Sequence, residues 1–128
     1  MQLYKIYFVY ILTKMTLEKK LQEILLLINN EKYKELIPKI HELLKEKYKS
    51  IPLYGNLGLC YLKLNKNYLA IKYFLKVIKI DKNNVNANHN LGLAYSKINE
   101  IDKAISFYDQ ALGAIEEYPF FFITLIEY

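Results

Sequence analysis

Tryptophan and arginine are absent, cysteine occurs once, and only three prolines and four glycines punctuate 128 residues. Each scarcity closes off a class of function. The lone Cys60 has no partner for an internal disulfide and no second thiol with which to share a metal ion. The default is therefore a reducing compartment, the cytoplasm, with Cys60 as a small buried residue. Four glycines, at Gly55, Gly58, Gly92 and Gly113, cannot build a glycine-rich loop that cradles phosphate. Without arginine the chain lacks the side chain that grips phosphate and guanine bidentately, and its 18 lysines are offset by 13 acids. Nucleic acid is not an expected partner. The two histidines, His41 and His89, sit in separate segments with no carboxylate or second histidine at ligand spacing, so no enzyme activity, metal or cofactor is expected.

What is present describes a folded domain. Apolar residues make up 53% and charged residues 24%, enough for one core in a chain of this length. The net charge of +5 comes mostly from the first fifty residues, with ten lysines against six acids, a tilt toward acidic partners. The apolar run "LYKIYFVYIL" at 3–12 is too short for a bilayer, which needs about 20 residues, so no transmembrane span is expected. Thr13-Lys14-Met15-Thr16 offers no small-residue cleavage site. Residues 1–16 are therefore read as an apolar extension, with export as the alternative. Met15 is a candidate natural start, because "MTLEKKLQEILLLI" opens directly into an amphipathic helix. After Pro119 comes "FFFITLIEY", an apolar segment expected to dock, to pair two copies, or to continue in a longer chain.

Two decapeptides are nearly the same: "NLGLCYLKLN" at 56–65 and "NLGLAYSKIN" at 90–99 begin 34 residues apart. Residues 51–84 laid over 85–118 without gaps give nine identities, among them Leu57/Leu91, Gly58/Gly92, Tyr61/Tyr95 and Ala70/Ala104. Such a period marks stacked supersecondary units. The first unit reads as helices over 52–64 and 68–80, broken at Asn65-Lys66-Asn67, and the second follows the same plan. No segment reads as a strand, so the fold class is all-α. A glycine inside a helix costs about 1 kcal/mol relative to alanine. Gly58 and Gly92 therefore need a compensating reason, read here as close approach of the paired backbones, with Ala70 and Ala104 as the small residues opposite.

The spacing of Tyr54, Leu57, Gly58, Tyr61, Ala70 and Phe74, and then of Leu91, Gly92, Tyr95, Ala104, Tyr108 and Ala111, resembles the tetratricopeptide repeat across 51–118. Asn88, Val77, Lys82 and Glu116 depart from the pattern. The resemblance implies a right-handed superhelical solenoid of antiparallel helix pairs, about three units plus a terminal helix. Residues 51–84 and 85–118 are the clear units, and 119–128 is a truncated first helix or a cap. Residues 17–50 form a degenerate pair, with Ile24 in the glycine's place and Leu36 and Ile40 in those of Ala70 and Phe74. There Pro38 is expected to kink the second helix or delay its start.

At 100° per residue, Tyr54, Leu57, Gly58 and Tyr61 lie about 100° to 200° from Asn56, whereas Pro52, Leu59 and Lys63 lie within about 60° on its other side. The second copy repeats that outer arc with Asn86, Asn90, Leu93 and Lys97, and His89 stands at its edge. The first arc is core. The resemblance implies that the second lines a concave surface that binds a peptide or helix of a partner protein. There Asn56 and Asn90 would bond the partner's backbone, Leu59 and Leu93 would give apolar contact, and Lys63 and Lys97 would favour acidic groups. The expected function is a non-enzymatic interaction scaffold, with a self-assembling module joined through the C-terminal segment as the alternative. His41 is expected at the surface beside Glu42.

Overall fold

The computed structural model describes residues 2–45 and 50–116, which form six helices and no strand. They are α1 (Gln2–Asn29), α2 (Tyr33–Lys45), α3 (Ile51–Lys63), α4 (Asn67–Ile80), α5 (Val85–Lys97) and α6 (Ile101–Glu116). Each helix packs on the next, and α3 also touches α5. The result is an all-α solenoid of helix hairpins.

One turn geometry closes all three hairpins. Glu31, Asn65 and Asn99 stand 34 residues apart and each has positive φ, at 55°, 59° and 62°. The amides that follow them reach back to the last helical turn: Lys32 N donates to Leu27 O at 2.9 Å, Lys66 N to Tyr61 O at 2.8 Å and Glu100 N to Tyr95 O at 2.9 Å. This is the left-handed helix-ending turn, which satisfies carbonyls the helix leaves open. Asparagine tolerates that conformation, whereas a glutamate in it costs about 1 kcal/mol. Glu31→Asn is therefore expected to raise stability by about 0.5 kcal/mol in urea unfolding; a loss of stability would show that the turn at 31 is held by the glutamate itself.

The starts of α3 and α5 are specified locally. Ser50 Oγ accepts from Leu53 N at 3.4 Å, and Pro52 sits in the first turn, where its missing N–H costs nothing. Asn84 Oδ1 accepts from Ala87 N at 2.9 Å. One continuous core then runs from Ile24 through Leu36, Ile40 and Leu43 to Leu57, Phe74 and Leu91.

Several expectations are corrected by the fold. Residues 2–16 run unbroken into the rest of α1. Nothing in Thr13-Lys14-Met15-Thr16 breaks a helix, and the Thr13 and Thr16 hydroxyls donate to Val9 O and Leu12 O one turn back, at 2.7 and 2.8 Å. Residues 2–10 are exposed throughout, and no helix among the described residues is long and apolar enough to cross a membrane. Pro38 does not delay α2, which starts at Tyr33 and holds the proline inside. The burial of Leu36, Ile40 and Leu43 secures that helix despite the lost backbone bond. His41 is half-buried rather than a surface residue: its Nε2 lies 3.4 Å from Tyr61 Oη, and its ring is edge-on to Tyr73 at 5.8 Å. The readings placed on 119–128, a terminal helix and a docking or self-pairing segment, fall outside the described residues.

The repeated glycines face a ring and not a backbone. A Cβ on Gly58 would lie 2.7 Å from Phe74 Cε1, and one on Gly92 would lie 2.7 Å from Tyr108 Cδ1 and Cε1. Ala70 and Ala104 are buried, yet neither is what that Cβ would first meet. The first hairpin fills the same space differently, with Ile24 and Ile40 buried where the later ones use glycine and an aromatic ring. Volume moves from one helix to the other, a swap cores tolerate. A stacked pair recurs as well: Tyr61 on Tyr73 at 5.6 Å and Tyr95 on Phe107 at 5.4 Å.

Candidate partner-binding groove

Periodicity places Pro52, Asn56, Leu59 and Lys63 along one side of α3, while Tyr54, Leu57, Gly58 and Tyr61 turn inward and are buried. α5 does the same, with Leu91 and Gly92 buried and Tyr95 half-buried. Stacking α5 beside α3, with α4 beneath, then encloses a cavity of about 290 Å³. Phe74 and Val77 of α4 lie against it, Leu59 adds an apolar wall, and the amide-bearing side chains of Asn56, Asn84, Asn86 and Asn90 line its polar part. A site of apolar floor and polar rim suits a peptide, whose side chain goes down and whose backbone bonds the rim.

The structure thus brings Asn56, Leu59, Asn86 and Asn90 to one cavity. Lys63 and Lys97 are exposed at the C-terminal ends of α3 and α5 and do not line it, and Leu93 is half-buried against the core. His89 opens instead on the neighbouring space, with its ring 5.6 Å from that of Tyr108. A larger depression of about 670 Å³ follows the exposed side of α6 past Asp102 and Asp109. Among the described residues only Asn83 joins it from outside α6, and these residues form no opposing wall.

The charged residues of the two helices that wall the groove are of one sign. Neither α3 nor α5 contains an aspartate or glutamate, and each ends on a lysine. Cys60 does not offer the groove a thiolate. Cys60 is 1% exposed, and burial pushes its thiol up to about 11, so it stays neutral at physiological pH. Among the described residues no three His, Cys, Asp or Glu side chains gather as a metal site.

One residue that holds the groove was marked in the sequence only as a departure from the repeat pattern. Asn88, where the repeat pattern has an aromatic, is 1% exposed, and its Nδ2 donates to Lys82 O and to Asn84 O, both at 3.0 Å. It ties the α4–α5 turn to α5 and so fixes the wall carrying Asn84 and Asn86. Its mismatch with the pattern was the available signal.

Two family models, both described as tetratricopeptide repeat, match residues 51–84 and 73–106. No curated protein matches the chain. Among solved structures, MamA 41-end from Desulfovibrio magneticus RS-1 superposes with a TM-score of 0.71 at 15% identity, over 77% of this chain and 56% of that one. MamA AMB-1 gives 0.71 at 15% identity, over 76% and 53%. A further crystal structure of MamA gives 0.67 at 23% identity, over 71% and 53%. The chain spans about half the length of these structures, and at such identities the likeness is one of fold.

Proposed function

The chain belongs to the tetratricopeptide repeat family, and from that premise we propose that it is a non-enzymatic protein-protein interaction scaffold whose groove across α3, α4 and α5 takes an acidic peptide segment of a partner protein. The observation that carries the reading is the cavity itself: two consecutive repeats meet there, four asparagines rim it, and both first helices are free of acids. The asparagine amides donate to and accept from an extended backbone, so they hold a peptide without selecting its sequence. The lysines then select for charge. An exposed ion pair contributes about 0 to 1 kcal/mol, so Lys63 and Lys97 tune partner choice more than affinity.

The test is charge reversal at both lysines. Lys63→Glu/Lys97→Glu replaces attraction by repulsion at two exposed sites, a change of roughly 1 to 2 kcal/mol, or about tenfold in partner affinity at low salt. The difference from wild type should shrink as salt rises. Partner recovery that is unchanged at low salt would overturn the assignment of the acidic segment to this groove.

A further inference from the structure

Resting on that groove reading, the geometry points to Gly55 as the residue that gives the groove a notch for one apolar side chain of the bound peptide. Gly55 sits inside α3, where glycine weakens a helix, and its backbone does not require glycine, since no glycine among the described residues has positive φ. Packing does not require it either. A Cβ built there meets no heavy atom within 4 Å, in contrast to Gly58 three residues on, where it would strike Phe74. The one structural consequence of the missing side chain is space, and that space belongs to the groove cavity.

The next repeat shows what a side chain does at this register. His89, 34 residues on, stands with its ring 5.6 Å from that of Tyr108, covering the position that corresponds to Phe74. In the first repeat that register is bare, and Phe74 and Val77 line the cavity beside it. The notch therefore takes an aliphatic or aromatic side chain, while Asn56 and Asn90 flank it to bond the peptide backbone on either side. Charge fixes the rest of the occupant. Lys63 lies eight residues beyond Gly55, about 12 Å along α3, and an extended peptide advances about 3.3 Å per residue. A peptide running along α3 with its apolar residue in the notch reaches Lys63 with an acidic residue about three to four positions away.

A phage-displayed random dodecapeptide library panned on the full chain tests this, with the selected peptides synthesised, labelled and titrated by fluorescence anisotropy. The expected result is a set of peptides sharing an apolar residue about three to four positions from an acidic one, each bound at least tenfold more weakly by Gly55→Leu and less affected by Gly55→Ala. Circular dichroism melts of both variants should be unchanged or raised, because the new side chain meets open space. If Lys63→Glu/Lys97→Glu weakens binding while Gly55→Leu leaves it unchanged, the notch is overturned and the groove reading stands. If neither changes binding, or if panning selects no peptide that the full chain binds, both are overturned. A lowered melting temperature for Gly55→Leu would also overturn the notch, because it would mean that the space is not open.

Discussion

Gly58→Val is expected to destabilise the chain by about 2 to 3 kcal/mol in urea unfolding, although valine is the better helix former. The new Cβ alone would stand 2.7 Å from Phe74 Cε1 and 2.8 Å from Cδ1 and Cζ. Phe74 is 1% exposed, and any retreat of its ring towards the groove cavity that it borders would disturb the core that it shares with Leu57 and Val77. Two effects oppose each other in the smaller change Gly58→Ala. Helix propensity favours alanine by about 1 kcal/mol, and overpacking costs about 1 to 3 kcal/mol, so a net loss is expected. At Gly92 the ring is the half-buried Tyr108 of the last described helix, which has more freedom to swing, so Gly92→Ala should cost less than Gly58→Ala. Pairing Gly58→Ala with Phe74→Leu should give a loss smaller than the sum of the two single losses, since the second change removes the clash made by the first. A stabilised Gly58→Ala would sink the account, because it would mean that propensity alone decides the site.

Asn88→Leu is expected to cost about 2 kcal/mol, against little at the exposed neighbour His89. Leucine keeps the branched shape but is larger and cannot donate, so the loss combines mild overpacking with the two part-buried hydrogen bonds to Lys82 O and Asn84 O, of which Asn84 O keeps the Asn88 backbone N–H at 3.0 Å. Asn88→Asp should be worse at neutral pH, since a carboxylate offers those carbonyls no donor and brings an uncompensated charge to a site 1% exposed. The same variants should weaken the peptide binding proposed for the groove at temperatures where they remain folded, because Asn84 and Asn86 sit on the wall that Asn88 braces. Equal stability of Asn88→Leu and the parent chain would show that the turn is held by its other contacts.

The 34-residue period, the hairpin breaks and the helical type of every segment in 51–116 are local properties, and they were legible residue by residue. Asn65 and Asn99 favour the left-handed turn they adopt, Ser50 and Asn84 cap the helices that follow them, and the apolar spacing marks which side of each helix turns inward. Local signals also explain why a late start of α2 was one of two expectations at Pro38. Pro38 is a helix breaker by propensity, yet it lies inside α2, because a tertiary face formed by Leu36, Ile40 and Leu43 outweighs it.

What periodicity does not carry is the identity of the neighbour. It marks Gly58 as inward, but the ring of Phe74 rather than a backbone or Ala70 occupies the space before it, and only packed coordinates choose between them. Gly55 and Gly58 are the same letter on the same helix; one opens a cavity and the other admits a ring, and the difference is what α4 places opposite each. His89 and Asn56 share an arc in sequence yet open on different cavities, because α5 walls one of them and borders the other. The helices and their inward faces were thus determined by the sequence alone, since both depend on spacing along a single helix. The groove, its notch and the brace at Asn88 were decided by tertiary structure, since each depends on the distance between side chains that only the stacking of neighbouring helices brings together.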